Sequence, residues 1–236
     1  MKLIIVPFAG GLKRDFDDFI SRFDESWDIH VLEYPGHGSR RTESYAKDFA
    51  DLVEIMAKDV CNIVTNPAND GICDDGADSE YILFGYSMGS IVSYEMAVRN
   101  LIPKPKLIVE ASHRPPNIEW ESKTYVSLDD RTFWSKIRLL GAMDNMEESL
   151  LDNRVYRRMY FDPIRQDYRL ISTYKARCEK VPGVPAVCFY SKQDVPDDEM
   201  YQWKLFYDDI KIYPMGDNHF FIFDHAEEMA DIIKDF

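Results

Sequence analysis

Apolar residues of this chain follow two rhythms: short unbroken runs, and runs spaced by threes and fours. Lys2 to Val6, Asp28 to Tyr34, Tyr81 to Phe84, Lys106 to Ala111, Ala186 to Tyr190 and Asp209 to Tyr213 are short and rich in β-branched or aromatic residues. They predict buried strands. Phe16, Phe19, Ile20 and Phe23 recur at helical spacing, and Phe49, Val53, Met56, Val60 and Ile63 do so within a longer amphipathic stretch, Tyr45 to Val64. Further helices are expected from the residues after Ser87 to Arg99, and from Ala226 to Asp235. Strands alternating with helices predict a mostly parallel sheet covered on both faces, the α/β class. Pro7-Phe8-Ala9-Gly10-Gly11 and Pro35-Gly36-His37-Gly38 end the first two strands, and Asn66 to Ser79 reads as a solvated loop. No internal repeat is visible.

Between Ser112 and Ala186 the strand rhythm stops. Helical patterns run through Arg131 to Leu140, Glu147 to Phe161 and Ile164 to Arg177. Asp129 or Asp130 can cap the first, Gly141 can end it and Pro163 can open the third. An insertion of this length between core strands reads as a lid. The expected organisation is one domain, 1–236, with a helical lid at 114–180. Trp120, Phe133, Trp134, Tyr156, Tyr160, Phe161, Tyr168 and Tyr174 fit a cap over an apolar channel; each fits a small core of the cap's own equally well.

The chain has 236 residues, 45% hydrophobic and 30% charged, enough for one sizeable core and unlike a disordered chain. No apolar run reaches the length of a membrane span, and the amino terminus lacks the features of a signal peptide. A membrane is therefore not an expected partner. Cys61, Cys73, Cys178 and Cys188 form no C-x-x-C pair, so free thiols in a reducing cytoplasm are expected, with no metal and no cofactor. A net charge of −14 argues against nucleic acid.

The candidate chemistry centres on Gly85-Tyr86-Ser87-Met88-Gly89, at the junction of a predicted strand and helix. This is the G-x-S-x-G nucleophile elbow, in which a strained turn presents a serine hydroxyl above a parallel sheet. On either side of the serine, a β-carbon two residues away would strike a neighbouring element, hence the glycines. A serine hydroxyl needs a base, and the base needs an orienting group. In the α/β-hydrolase arrangement the chain order is serine, acid, histidine. His30 and His37 precede the serine, and His113 precedes any candidate acid. His219 follows the last strand, where a loop returns to the carboxyl edge of the sheet, and is the expected base; His225 falls in the next helix. Asp194 follows the strand Ala186 to Tyr190 and is the expected acid. Asp197 and Asp198 look like solvated charges opening a helix. An oxyanion hole needs two preset backbone N–H groups. Met88 at the helix start supplies one, and Ala9, with Phe8 as rival, the other. Phe8 and Tyr86 are expected to border the substrate.

Together, Pro7 to Gly11, Tyr34-Pro35-Gly36-His37-Gly38-Ser39-Arg40, the elbow, and Gly216-Asp217-Asn218-His219-Phe220-Phe221 resemble the type II thioesterases. These are stand-alone α/β-hydrolases that serve nonribosomal peptide and polyketide synthases. Leu139-Leu140-Gly141 and Asp167-Tyr168-Arg169-Leu170-Ile171 are similar to that family's cap. The resemblance implies hydrolysis of acyl or aminoacyl groups from the phosphopantetheine arm of an acyl or peptidyl carrier protein, by a monomer. It puts Ser87, Asp194 and His219 on triad positions and Met88 and Ala9 on oxyanion positions. Tyr86 stands where that family often has histidine, and Asp217-Asn218 where a glycine is common. A medium-chain fatty acyl-carrier or acyl-CoA thioesterase, or a non-catalytic carrier-binding protein, would share the machinery. Carrier domains are acidic, as is this chain, so docking would need a local basic patch, with Arg40, Arg41, Arg114, Arg154, Arg157 and Arg158 as candidates, or apolar contacts on the cap.

Overall fold

Six strands, β1 (Lys2–Val6), β2 (Asp28–Val31), β3 (Tyr81–Tyr86), β4 (Leu107–Ala111), β5 (Ala186–Tyr190) and β6 (Ile210–Pro214), form one sheet in the order β2-β1-β3-β4-β5-β6. Every pairing is parallel. This computed structural model describes residues 1–65, 80–141 and 148–236; the predicted loop Asn66 to Ser79 lies outside them.

Alternating side chains on the central strands feed two apolar layers. Ile4, Val6, Leu83, Ile108 and Cys188 face α2 (Phe49–Val64) and α3 (Met88–Val98), while Leu3, Ile5, Phe84, Val109 and Val187 face α1 (Asp17–Ile20) and α8 (Ala226–Lys234). β3, β4 and β5 are buried along their whole length, so their sequences read as continuous apolar runs. The edge strands β2 and β6 are half-exposed, and the sequence places their ends less well. β2 stops at Val31 instead of Tyr34, and β6 spans Ile210–Pro214 instead of Asp209 to Tyr213. α2 starts at Phe49 instead of Tyr45 because Asp48 caps it, its side chain accepting from the Asp51 amide.

The insertion between β4 and β5 is helical. α4 (Asp130–Arg138) is capped by Asp129. The expected middle helix is broken into a 3₁₀ turn at Glu148–Asp152, the short α5 (Arg154–Tyr156) and a π-helical turn at Arg157–Phe161; residue 147 falls outside the described chain. α6 (Asp162–Ser172) continues from that turn, with Pro163 in its first turn, and ends short of Arg177. α7 (Asp197–Met200) follows β5. Trp120, Phe133, Trp134, Phe161, Tyr168 and Tyr174 are buried in the same apolar cluster as one face of the sheet. Trp120 stacks on Tyr174 at 5.0 Å, and Phe133 meets Tyr168 edge-on at 5.1 Å. These rings pack in the main core, and Trp120 and Tyr168 also line the cavities beside Ser87. The expectation of free thiols fails at Cys61, which is disulfide-bonded; Cys178 and Cys188 are free.

Candidate active site

All six strands run the same way, so the turns after β1, β3, β4, β5 and β6 open at one edge of the sheet. Each contributes to a single cluster. β3 ends at Tyr86, Ser87 takes φ 53° and ψ −118°, and α3 begins at Met88. A β-carbon on Gly89 would lie 2.1 Å from the Val6 carbonyl oxygen, and one on Gly85 would lie 2.4 Å from that of Gly89. Only glycine lets β1, β3 and α3 approach this closely. The Ser87 amide donates to the Ala111 carbonyl at 2.7 Å, which pins the turn to β4.

Ser87, His219 and Asp194 meet in line. His219 Nε2 lies 2.8 Å from Ser87 Oγ, and its Nδ1 lies 2.7 Å from Asp194 Oδ2. With the ring proton on Nδ1 donated to the carboxylate, Nε2 is left to accept from the serine hydroxyl. Burial pushes the Asp194 carboxyl up, but the charge and hydrogen bond of His219, with Arg114 and His113 nearby, bring it below its ordinary value. Arg114 also donates to the Asp194 carbonyl at 3.0 Å while paired with Glu199 at 2.6 Å. The rival Asp197 is turned away, accepting from Tyr190 and Lys192.

Two hydroxyls hold the backbone of His219. Tyr86 donates to its carbonyl at 2.8 Å and Ser112 at 2.6 Å. Ser112 Oγ also stands 3.0 Å from His219 Nδ1, with Ser112 itself at φ 56° directly after β4. Ser112 is absent from the sequence-derived site because the signal for it is spatial. Tyr86 is fully buried, lies behind the residues that line the two cavities beside Ser87, and accepts from the Ile222 amide at 3.3 Å.

Those cavities differ in character. The larger, about 390 Å³, runs from Ser87, Met88, Ala9 and His219 past Arg114 and Trp120 to Glu121 and Ser122. The smaller, about 20 Å³, is an apolar recess beside Ser87 between Phe8, Ile137, Leu140, Ile164 and Tyr168. Phe8 thus lines the smaller recess, and Ala9 lines both cavities. His113 lines the larger cavity; burial lowers its imidazole to about 3, so it is neutral near pH 7. His30 pairs with Asp28, His225 with Glu228 and His37 with Asp167. Among the described residues, no group of three or more His, Cys, Asp or Glu is placed to hold a metal, and no helix is long and apolar enough to cross a membrane.

A parallel sheet with a serine at a strand-to-helix elbow, an acid after the next strand but one and a histidine after the last strand defines the α/β-hydrolase class. Within that class the chain belongs to the thioesterase-domain family, whose profile matches residues 1–236, and it is an enzyme acting on thioester bonds. It is 25% identical to thioesterase PikA5 of Streptomyces venezuelae over all of this chain and 80% of that protein. It is 22% identical to the gramicidin S biosynthesis protein GrsT of Aneurinibacillus migulanus over 99% and 87%. Among solved structures, ClbQ from the colibactin NRPS/PKS pathway superposes with a TM-score of 0.79 at 22% identity, covering 99% of this chain and 95% of ClbQ.

Proposed function

We propose that this protein is a type II thioesterase that clears acyl or aminoacyl groups from the phosphopantetheine arm of carrier proteins in nonribosomal peptide or polyketide assembly. The observation that carries the reading is the line Ser87 Oγ–His219 Nε2–Asp194 Oδ2, at 2.8 and 2.7 Å, opening into the 390 Å³ cavity. His219 takes the Ser87 proton as Oγ attacks the thioester carbonyl. The amides of Met88 and Ala9 receive the negative charge on oxygen. As the C–S bond breaks, the pantetheine sulfur leaves with the proton from His219, and Ser87 holds the acyl group as an ester. Water, deprotonated by His219, attacks that ester; Ser87 regains its proton and the free acid departs. With a thiol reference pKa of about 8.5, the leaving group asks less of His219 as an acid than an amine would.

Residues 114–180 act as the lid of a single domain spanning 1–236, with Phe8 bordering the acyl group. The enzyme works as a monomer among cytoplasmic carriers. Of the basic residues suited to meeting an acidic carrier, Arg40, Arg114 and Arg157 are held by Glu43 and Asp59, by Glu199, and by Asp130. That leaves Arg41, Arg154 and Arg158 as the candidates for steering. Ser87→Ala is expected to lower hydrolysis of acetyl-carrier by about 10⁶-fold. The wild-type enzyme is expected to prefer acetyl- or aminoacyl-carrier over the same groups on free CoA. Turnover by S87A at the wild-type rate would sink the serine mechanism, and preference for long free acyl-CoA would sink the carrier assignment.

A further inference from the structure

A buried carboxylate outside the Ser87–His219–Asp194 line holds a backbone amide of the turn that carries Ala9. Asp167, on α6, is fully buried, and its Oδ2 accepts from the Gly10 amide at 2.7 Å. The same oxygen lies 3.0 Å from His37 Nε2, and His37 Nδ1 lies 3.1 Å from the Pro35 carbonyl. His37 is only 1% exposed. A carbonyl can only accept, so Nδ1 carries a hydrogen; the Nε2–Oδ2 contact needs a second proton. One proton is therefore shared between ring and carboxyl, and the pair is neutral overall, which enclosure favours over a lone buried charge.

The Gly10 amide occupies a decisive position. Gly11 donates to the Phe8 carbonyl at 2.8 Å and Gly10 has φ +76°, the geometry of a type II turn with glycine at its third position. The central peptide of such a turn, Ala9–Gly10, distinguishes type II from type I by its orientation. Tied to Asp167, it points one way. The preceding Phe8–Ala9 peptide, whose N–H belongs to Ala9, is fixed with it. Tyr34 secures the other side, donating to the Pro7 carbonyl at 2.5 Å. α6 also rests on the turn, since a β-carbon on Gly10 would lie 2.2 Å from Ile164 Cγ1. Ile164 and Asp167 sit one helical turn apart on α6, so one face of that helix both packs on this turn and binds it.

We propose that Asp167, backed by His37, is a positioning residue for the oxyanion hole, aiming the Ala9 amide at the Ser87 adduct and making that aim depend on α6 being seated. This rests on the reading of Ser87 and Ala9 given above. The full chain carrying Asp167→Ala, Asp167→Asn or His37→Gln tests it, with an acetyl-pantetheine thioester as substrate and circular dichroism to check folding. Two inhibitors separate roles. A trifluoromethyl ketone analogue takes Ser87 Oγ onto its carbonyl carbon, passes the serine proton to His219 and places its oxyanion in the hole. The matching thioether analogue binds without forming an adduct.

Asp167→Ala is expected to lower kcat by about 10²-fold, the cost of losing one oxyanion donor, with KM little changed. The trifluoromethyl ketone should weaken by the same factor while thioether binding holds. Asp167→Asn keeps an oxygen for the Gly10 amide but removes the carboxyl group that balances a proton on His37, so it should rescue part of the loss. A folded D167A with wild-type kcat, or two inhibitors weakened equally, would overturn the proposal. If D167A does not fold, D167N and H37Q decide by the same inhibitor ratio. S87A distinguishes the two readings: retained turnover removes the serine mechanism, whereas a dead S87A beside fully active Asp167 and His37 variants removes only this assignment.

Discussion

Asp194 and Asp197 are the same residue type three positions apart, and their surroundings separate them completely. Asp194 lies in a half-enclosed loop against His219 and Arg114, whereas Asp197 faces Lys192 at the start of α7. With Asn at position 194 the His219 ring loses the acceptor that fixes its tautomer. Asp194→Asn is therefore expected to lower kcat by about 10³ to 10⁴-fold while the fold is kept, as stopped-flow hydrolysis and circular dichroism would show. An Asp197→Asn enzyme should stay within a few-fold of wild type. At this scale the hydrogen-bonded line of Ser87, His219 and Asp194 was legible, because serine, acid and histidine occupy set places after particular strands. Ser112, Asp167 and the hydroxyl of Tyr86 were not. Their partners lie 107, 157 and 133 residues away, and no local pattern encodes such pairings.

The strands and α3 carry the elbow, and their packing leaves no slack. A methyl group on Gly89 would meet the backbone of Val6, at the end of β1, and of Pro7 just beyond it, and backbone cannot step aside as a side chain can. Gly89→Ala is expected to destabilise by about 1–3 kcal/mol or more and to displace Ser87, with kcat falling more than stability alone would require. β4 holds a second tension. Glu110 is completely buried, with Tyr207 donating to Oε1 at 2.5 Å. Burial pushes its carboxyl well above 4.5, and the hydrogen bond from Tyr207 offsets this only in part. A folded pKa above the unfolded one means stability is fully present below about pH 4.5 and is lost as pH rises toward the folded value. Glu110→Gln should thus flatten the fall in Tm between pH 5 and 8, measured by calorimetry in matched buffers. A variant with the same slope as wild type would show that Glu110 is not its source. The element boundaries follow the same logic: buried β5 is read at its observed bounds and capped α4 to within two residues, whereas β2, β6 and the broken segment before α6 depend on neighbours.

Over the whole molecule, one apolar cluster joins the insertion to the sheet, from Ile4 and Leu83 through Phe133 and Trp134 to Tyr168. Such continuity predicts a single cooperative unfolding transition for residues 1–236. Trp134 is fully buried, in contact with Tyr156 and Phe161, and Trp134→Ala is expected to cost about 3–5 kcal/mol. Calorimetry should show one peak shifted downward by on the order of 10 °C; a separate early peak would mean that 114–180 folds as its own unit. The sequence by itself determined the parallel α/β architecture, the helical insertion and the three groups that meet at Ser87. Strand runs, helical periods and chain order are local signals, and a parallel sheet converts chain order into position along one edge. Only the tertiary structure decided which residues brace them: Ser112 and Tyr86 on the His219 carbonyl, and Asp167 with His37 on the Gly10 amide. Those contacts join distant segments through single hydrogen bonds, whose partners are selected by packing and burial, not by any pattern along the chain.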